Sequence, residues 1–144
     1  MKILVINGPN INMVGIREPD IYGKQDFHAL EESICAWAKE LGADVELYQS
    51  NHEGDLVDVI QKAYFDKTDG IVINPAAYTH TSVAILDALK AVSIPTVEVH
   101  LSDIYSRDKF RQFSYTSLVA EKTIAGQGFD GYRQAMEYLV KQYG

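Results

Sequence analysis

Cysteine is nearly absent from this 144-residue chain: Cys35 is the only one. No internal disulfide can form, which fits a reducing compartment, and we interpret Cys35 as a packing residue of an apolar helix. The chain also lacks an apolar run long enough to span a bilayer, and its first apolar run, Ile3–Ile6, is too short for a signal peptide. These absences predict a cytoplasmic protein without a membrane partner.

Positive charge is scarce as well. The chain has 13 Lys and Arg residues against 20 Asp and Glu residues, which gives a net charge of -7. This balance argues against a nucleic-acid partner or an anionic membrane surface. A small anionic substrate remains compatible with it, because individual arginine residues decide such binding more than the net charge does.

Close metal-ligand spacing is also missing. The four histidines, His28, His52, His80 and His100, form no H-x-x-x-H pair, so a metal site is only weakly indicated. Residues 126–131 match G-x-G-x-x-G, but only thirteen residues follow, too few for the second strand and the acidic residue of a dinucleotide site. We interpret these glycines as a tight strand-to-helix turn and not as a dinucleotide site.

Apolar runs typical of buried parallel strands alternate with amphipathic helical patterns along the whole chain. The predicted strands are 1–6, 43–48, 71–73, 94–99 and a fifth near 123–125. The predicted helices are 26–41, 56–65, one capped by Thr79 or Thr81 that ends near Val92, and 131–143. This alternation predicts an α/β fold, flavodoxin-like and three-layered, with a five-stranded parallel sheet of order 2-1-3-4-5. No domain boundary is visible, so we predict a single domain over residues 1–144.

The connection after strand 1 is long and polar. Glycine or proline interrupts it at Gly8, Pro9, Gly15, Pro19 and Gly23, so a continuous helix is not expected. Long structured connections are often lids or binding loops. We predict a polar floor, formed by Asn7, Asn10 and Asn12, and an active-site lid at about residues 10–23 that carries Arg17 and Tyr22. The alternative is a solvated surface loop.

Polar side chains collect where three predicted strands end. Ligands of such sheets bind beyond the carboxyl ends of the strands, at the point where the winding reverses, here between strands 1 and 3. The candidates are Asn7, Asn10, Arg17 and Tyr22 after strand 1; Asn74, Tyr78, Thr79 and His80 after strand 3; and His100, Ser102, Asp103, Arg107 and Arg111 after strand 4. The pattern therefore predicts one crevice formed by three loops.

Glu98 and His100 are two residues apart on strand 4, so their side chains point to the same face of the sheet. An unpaired carboxylate would be costly in the apolar run T-V-E-V-H. A neighbouring carboxylate fixes the tautomer of an imidazole and stabilises its protonated form, which makes His100 a candidate general acid. The alternatives are a structural ion pair at this position and a helix-capping or surface role for His80.

Four segments of the chain, residues 6–23, 49–58, 73–84 and 97–111, resemble the type II 3-dehydroquinate dehydratases. They read I-N-G-P-N-I-N-M-V-G-I-R-E-P-D-I-Y-G, Q-S-N-H-E-G-D-L-V-D, I-N-P-A-A-Y-T-H-T-S-V-A and V-E-V-H-L-S-D-I-Y-S-R-D-K-F-R. The resemblance implies reversible dehydration of 3-dehydroquinate to 3-dehydroshikimate by anti elimination through an enolate, without a metal or an organic cofactor. It also implies the shikimate pathway of aromatic amino acid biosynthesis or quinate catabolism, and a homododecamer built as a tetramer of trimers.

The same resemblance implies roles for individual residues. The catalytic set is Tyr22 as the base, Arg17 as the lid arginine that favours the phenolate, Asn10 as the residue that settles the enolate through a water, and His100 as the proton donor, next to Glu98. The substrate-binding set is Asn74, His80 and Arg111 for hydroxyl groups, Leu101 and Ser102 for the carboxylate, and Asp87 from a neighbouring subunit. Arg107 matches another arginine of the family's pattern. Asp103 replaces the usual asparagine of the family, and its charge could weaken anion binding unless it points away.

Two rival functions use the same fold. A receiver domain needs clustered acidic residues after strand 1, where this chain has asparagines, whereas a flavin-binding module would give a coloured protein. A Schiff-base route to the same dehydration needs a lysine at the carboxyl end of a strand, and no lysine of the chain has that place.

Overall fold

A five-stranded, wholly parallel sheet of order β2-β1-β3-β4-β5 lies at the centre of the computed structural model, which describes residues 1–16 and 25–144. Its strands are β1 (Lys2–Asn7), β2 (Asp44–Gln49), β3 (Gly70–Asn74), β4 (Thr96–His100) and β5 (Lys122–Ala125). The helices are α1 (Phe27–Glu40), α2 (Glu53–Phe65), α3 (Val83–Val92) and α4 (Asp130–Tyr143). Short 3₁₀ turns occupy the longer connections. The predicted flavodoxin-like fold and strand order are confirmed.

The two faces of the sheet carry separate apolar layers. Ile3 and Val5 of β1 point to one face, where α1 and α4 cover them, and Leu4 and Ile6 point to the other face, under α2 and α3. Each fully buried isoleucine or leucine contributes roughly 1.5–3 kcal/mol. Because α1, which follows β1, covers one face and α3, which follows β3, covers the other, the winding reverses between β1 and β3 and opens a crevice at their carboxyl ends.

The cap of α3 and the first turn of α2 differ from the prediction. Helix α3 is capped by Ser82, whose Oγ accepts a hydrogen bond from the Ile85 N–H at 3.0 Å, because a 3₁₀ turn over Ala76–His80 already contains Thr79. The prediction of Thr79 or Thr81 as the cap was therefore wrong. Helix α2 begins at Glu53, three residues earlier than predicted, and places two carboxylates in its first turn, where the helix dipole favours them.

Cys35 is exposed on α1, so its interpretation as a packing residue was wrong. The buried stripe of α1 consists of Leu30, Ile34 and Ala38, and Cys35 follows Ile34 outside that stripe.

In the part of the chain that the structure describes, no helix is both long and apolar enough to cross a membrane.

Candidate active site

The crevice begins where the neighbouring strands β1 and β3 end in register, Asn7 opposite Asn74. The Gly8 N–H donates a hydrogen bond to the Asn74 carbonyl oxygen at 2.8 Å. A Cβ atom on Gly8 would lie 2.5 Å from the Pro75 carbonyl oxygen, far inside contact distance. Glycine is therefore needed here, because only a residue without a side chain lets the two loops approach so closely.

Residues at the end of β2 hydrogen-bond the segment that carries Asn10 and Asn12 of the polar floor. Asn10 adopts a left-handed conformation, with φ of 69°, and its N–H donates to Asn51 Oδ1 at 3.0 Å. The Gln49 side-chain amide lies within 3.1–3.3 Å of Asn51 Oδ1, the Gly8 carbonyl oxygen and Asn12 Oδ1. Neither Gln49 nor Asn51 was among the site residues predicted from the sequence. Their signal was the polar run Q-S-N directly after strand 2.

His100 and Glu98 lie on one face of β4 and are hydrogen-bonded through Nε2 and Oε2, with 5% and 0% of their surfaces exposed. An ionised carboxylate only accepts hydrogen bonds, so Nε2 of the imidazole is the donor. No described residue hydrogen-bonds Nδ1, which leaves this nitrogen to exchange a proton with a ligand. The buried pair is thus arranged for acid–base chemistry at one defined atom.

Ser114 also hydrogen-bonds the carboxylate of Glu98. Its buried Oγ lies 2.9 and 2.8 Å from the two carboxylate oxygens, and Thr123 Oγ1 lies 3.5 Å from one of them. Buried charged groups need such hydrogen bonds, because otherwise the loss of water destabilises them. Ser114 was not predicted as a site residue, because it lies sixteen residues beyond Glu98 and belongs to no periodic pattern.

His80 contacts the segment that contains Ser114. Its Nδ1 lies 2.8 Å from the Phe113 carbonyl oxygen, which only accepts, so Nδ1 carries the proton and Nε2 is the imidazole nitrogen left for a ligand. The Tyr115 N–H donates to the Thr79 carbonyl oxygen at 2.9 Å. Arg111 is half-buried, with its guanidinium 4.9 Å from the centre of the Phe110 ring. The loops after β3 and β4 are therefore tied together beside His100.

The glycines of G-x-G-x-x-G support the loop that follows His100. Gly126 and Gly128 have φ of 78° and 57°, and their N–H groups donate to the carbonyl oxygens of Ser102 and Leu101, each at 3.1 Å. Those two amides are thus engaged within the protein. By contrast, the N–H groups of Leu101 and Ser102 donate to no residue in the described part of the chain. Two adjacent free amides can bind an anion.

Asp103 is exposed, and its Oδ1 accepts the Tyr105 N–H at 3.0 Å, capping a 3₁₀ turn. An asparagine could make the same hydrogen bond through its side-chain oxygen. Arg107 is exposed at the end of that turn. Asp87 lies just over one turn into α3 and is exposed, whereas the other predicted residues of the described chain lie in β4 or at and beyond the carboxyl ends of β1, β3 and β4. Arg17 and Tyr22 lie outside the described residues.

A buried tyrosine that the sequence analysis missed also lies beside the crevice. Tyr132 of α4 donates a hydrogen bond to Asn7 Oδ1 at 2.5 Å and accepts one from Asn74 Nδ2 at 3.0 Å. Burial raises the pKa of Tyr132 well above its ordinary value, so it stays a neutral phenol and does not serve as a base.

Across residues 1–16 and 25–144, no three His, Cys, Asp or Glu side chains are grouped as a metal ion would require.

Comparison with known proteins gives matches over almost the whole chain. The family described as Dehydroquinase class II matches residues 1–140. The chain is 55% identical over 141 residues to the 3-dehydroquinate dehydratase of Lachnospira eligens, covering 97% of this chain and 96% of that protein. The crystal structure of type II dehydroquinase from Butyrivibrio crossotus is similar with a TM-score of 0.93 and 54% identity, over 96% of this chain and 97% of that one. The type II dehydroquinase from Propionibacterium acnes gives a TM-score of 0.88 and 38% identity, over 97% and 98%.

Proposed function

The chain belongs to the class II dehydroquinase family, and on that premise we propose that it catalyses the reversible dehydration of 3-dehydroquinate to 3-dehydroshikimate. It is a hydro-lyase of the type II class. The observation that carries the proposal is the buried Glu98–His100 pair, in a chain that matches the family over nearly its full length. Nδ1 of His100 has no partner among the described residues and lies at the carboxyl end of β4. We place the enzyme in the cytoplasm, in the shikimate pathway or in quinate catabolism.

The elimination needs a base, support for an enolate and an acid. Tyr22, as the phenolate favoured by Arg17, takes the proton from the carbon next to the ketone, and an enolate forms. Asn10 stabilises the enolate through a water molecule. The enolate then re-forms the ketone as the neighbouring carbon–oxygen bond breaks on the opposite face. His100 gives its Nδ1 proton to the departing hydroxyl, which leaves as water, and residues 10–23 serve as the active-site lid.

Substrate binding follows from the same three loops. Asn74, His80 and Arg111 bind the hydroxyl groups of the substrate. The carboxylate lies against the N–H groups of Leu101 and Ser102, which is supported by their lack of partners among the described residues. The Asp103 carboxylate accepts the Tyr105 N–H, so it is held by the 3₁₀ turn that follows and not by the amides of Leu101 and Ser102.

A continuous absorbance assay tests the proposed reaction. The purified protein should produce the ultraviolet absorbance of a conjugated enone when 3-dehydroquinate is added. The rate should survive EDTA, and borohydride added with the substrate should not inactivate the enzyme, because the proposed groups need neither a metal nor a lysine adduct. Absence of the enone contradicts the reaction. Loss of activity in EDTA that a divalent metal restores, or inactivation by borohydride, contradicts the mechanism.

Assembly is a second part of the proposal. We propose a homododecamer, a tetramer of trimers, in which the exposed Asp87 of one subunit completes the site of its neighbour. Mild denaturant that dissociates the assembly should therefore abolish nearly all activity before the subunits unfold. Sedimentation, activity and circular dichroism, measured across the same denaturant series, follow the three events separately. A folded monomer with full activity would refute the shared site.

A further inference from the structure

Tyr132 places one hydroxyl group between the ends of β1 and β3, directly beside a proposed substrate ligand. Its ring belongs to the apolar layer under α4, where phenylalanine would pack equally well, and no part of Tyr132 is exposed. Only the hydroxyl reaches beyond that layer, to Asn7 and Asn74, which are each 2% exposed. The core needs the ring but has no need of the hydroxyl.

The hydrogen bonds leave a single orientation for the Asn74 amide. The Ala76 N–H can only donate, and it lies 3.1 Å from Oδ1 of Asn74, so the oxygen must face Ala76. The amide nitrogen then faces Tyr132, whose oxygen accepts one of its two hydrogens. The single phenol proton goes to Asn7 Oδ1. One Nδ2 hydrogen of Asn74 therefore remains for another acceptor.

We propose that Tyr132 is a positioning residue, whose hydroxyl fixes the Asn74 amide so that its second Nδ2 hydrogen points to a hydroxyl group of the substrate. This inference rests on the proposed function, in which Asn74 is a substrate ligand. A rotated amide would present its oxygen, which accepts hydrogen bonds, in place of that donor. The substrate hydroxyl would then have to donate a hydrogen bond where it otherwise accepts one. Because the phenol is buried and stays protonated, the arrangement does not change over the working pH range.

Tyr132→Phe tests the role, because it keeps the ring and removes only the hydroxyl. We expect kcat/KM for 3-dehydroquinate to fall about tenfold, the usual scale for one lost hydrogen bond to a buried group. In an Asn74→Ala background, Tyr132→Phe should lower kcat/KM by no more than about twofold, because the two substitutions remove the same interaction. Wild-type kcat/KM in Tyr132→Phe, or full additivity with Asn74→Ala, would overturn the proposal.

Tyr143→Phe is the matched control. Tyr143 is at the end of the same helix and donates to the Glu121 carboxylate at 2.7 Å, away from the crevice. This variant loses a tyrosine hydrogen bond on α4 and should keep wild-type kcat/KM. If Tyr143→Phe loses as much kcat/KM as Tyr132→Phe, the effect reflects helix stability and the positioning role is refuted.

Nuclear magnetic resonance separates this inference from the proposed function. In the wild-type protein, the two Nδ2 hydrogens of Asn74 should give separate signals, one of them protected from exchange with water. Tyr132→Phe should remove that protection. An unprotected Asn74 amide in the wild-type protein overturns the positioning role, even if Tyr132→Phe does not fold. Absence of 3-dehydroquinate turnover in a wild-type protein with a protected amide would instead refute the proposed function alone.

Discussion

Replacing Glu98 with glutamine should lower kcat about a hundredfold, the low end for a general acid that works through a positioned side chain. Glutamine keeps the shape and can still accept from Nε2 of His100, since the Ser114 hydroxyl can either donate or accept toward the remaining amide atom. What disappears is the negative charge that stabilises an imidazolium in a buried place. The measurement is kcat over pH, together with the melting temperature.

The stability of Glu98→Gln should change little, because a neutral group in a buried site avoids the cost of removing a charge from water. Glu32→Gln is the matched control, since Glu32 pairs with His28 at 2.7 Å on the exposed surface of α1. It should keep wild-type kcat. A folded Glu98→Gln enzyme with wild-type kcat at every pH would mean that the pair is structural, the alternative left open by the sequence.

Tyr22→Phe should also lower kcat by at least about a hundredfold, with little change in substrate binding. A tyrosine with the ordinary pKa of about 10 is mostly protonated at neutral pH, and a nearby guanidinium favours the phenolate. Arg17→Ala should therefore lower kcat as well, and Arg17→Lys should recover only part of it, because the two cations differ in geometry. Tyr105→Phe, at an exposed tyrosine, is the control and should leave kcat unchanged.

Hydrogen exchange at the carbon next to the ketone assigns the base directly. Tyr22→Phe should lose this exchange together with dehydration, because both need removal of the same proton. If the variant exchanged that proton at the wild-type rate while dehydration was lost, Tyr22 would not be the base. His80 would then be the next candidate, since its Nε2 has no partner among the described residues.

The elements that the sequence predicted well depend on repeated local patterns. Buried runs such as Ile71–Ile73 and the apolar stripes of the helices recur at fixed spacings, so the sheet order and all four helices could be inferred. The cap of α3 could not, because Thr79, Thr81 and Ser82 offer the same chemistry and the preceding 3₁₀ turn decides among them. Local spacing does not reveal which of several equivalent side chains the backbone uses.

The supporting residues of the candidate site were missed for a different reason. Asn74 and His100 stand at strand ends, where the fold itself indicates a ligand site. Tyr132, by contrast, is 58 residues from Asn74 and 125 from Asn7 along the chain, and reads as one more apolar residue of an amphipathic helix. Contacts at such separations depend on how helix and sheet pack in three dimensions, which periodicity does not describe.

The attachment of the crevice to the last part of the chain has a consequence for biosynthesis. None of the proposed catalytic groups lies beyond Arg111, yet the glycine amides that hold Leu101 and Ser102, and the phenol that orients Asn74, belong to residues 126–132. A ribosome makes these supports after the proposed catalytic residues. A nascent chain that reaches only Arg111 therefore contains every proposed catalytic side chain and yet cannot form the site, and competence for the substrate arrives only once residues 126–132 have been made.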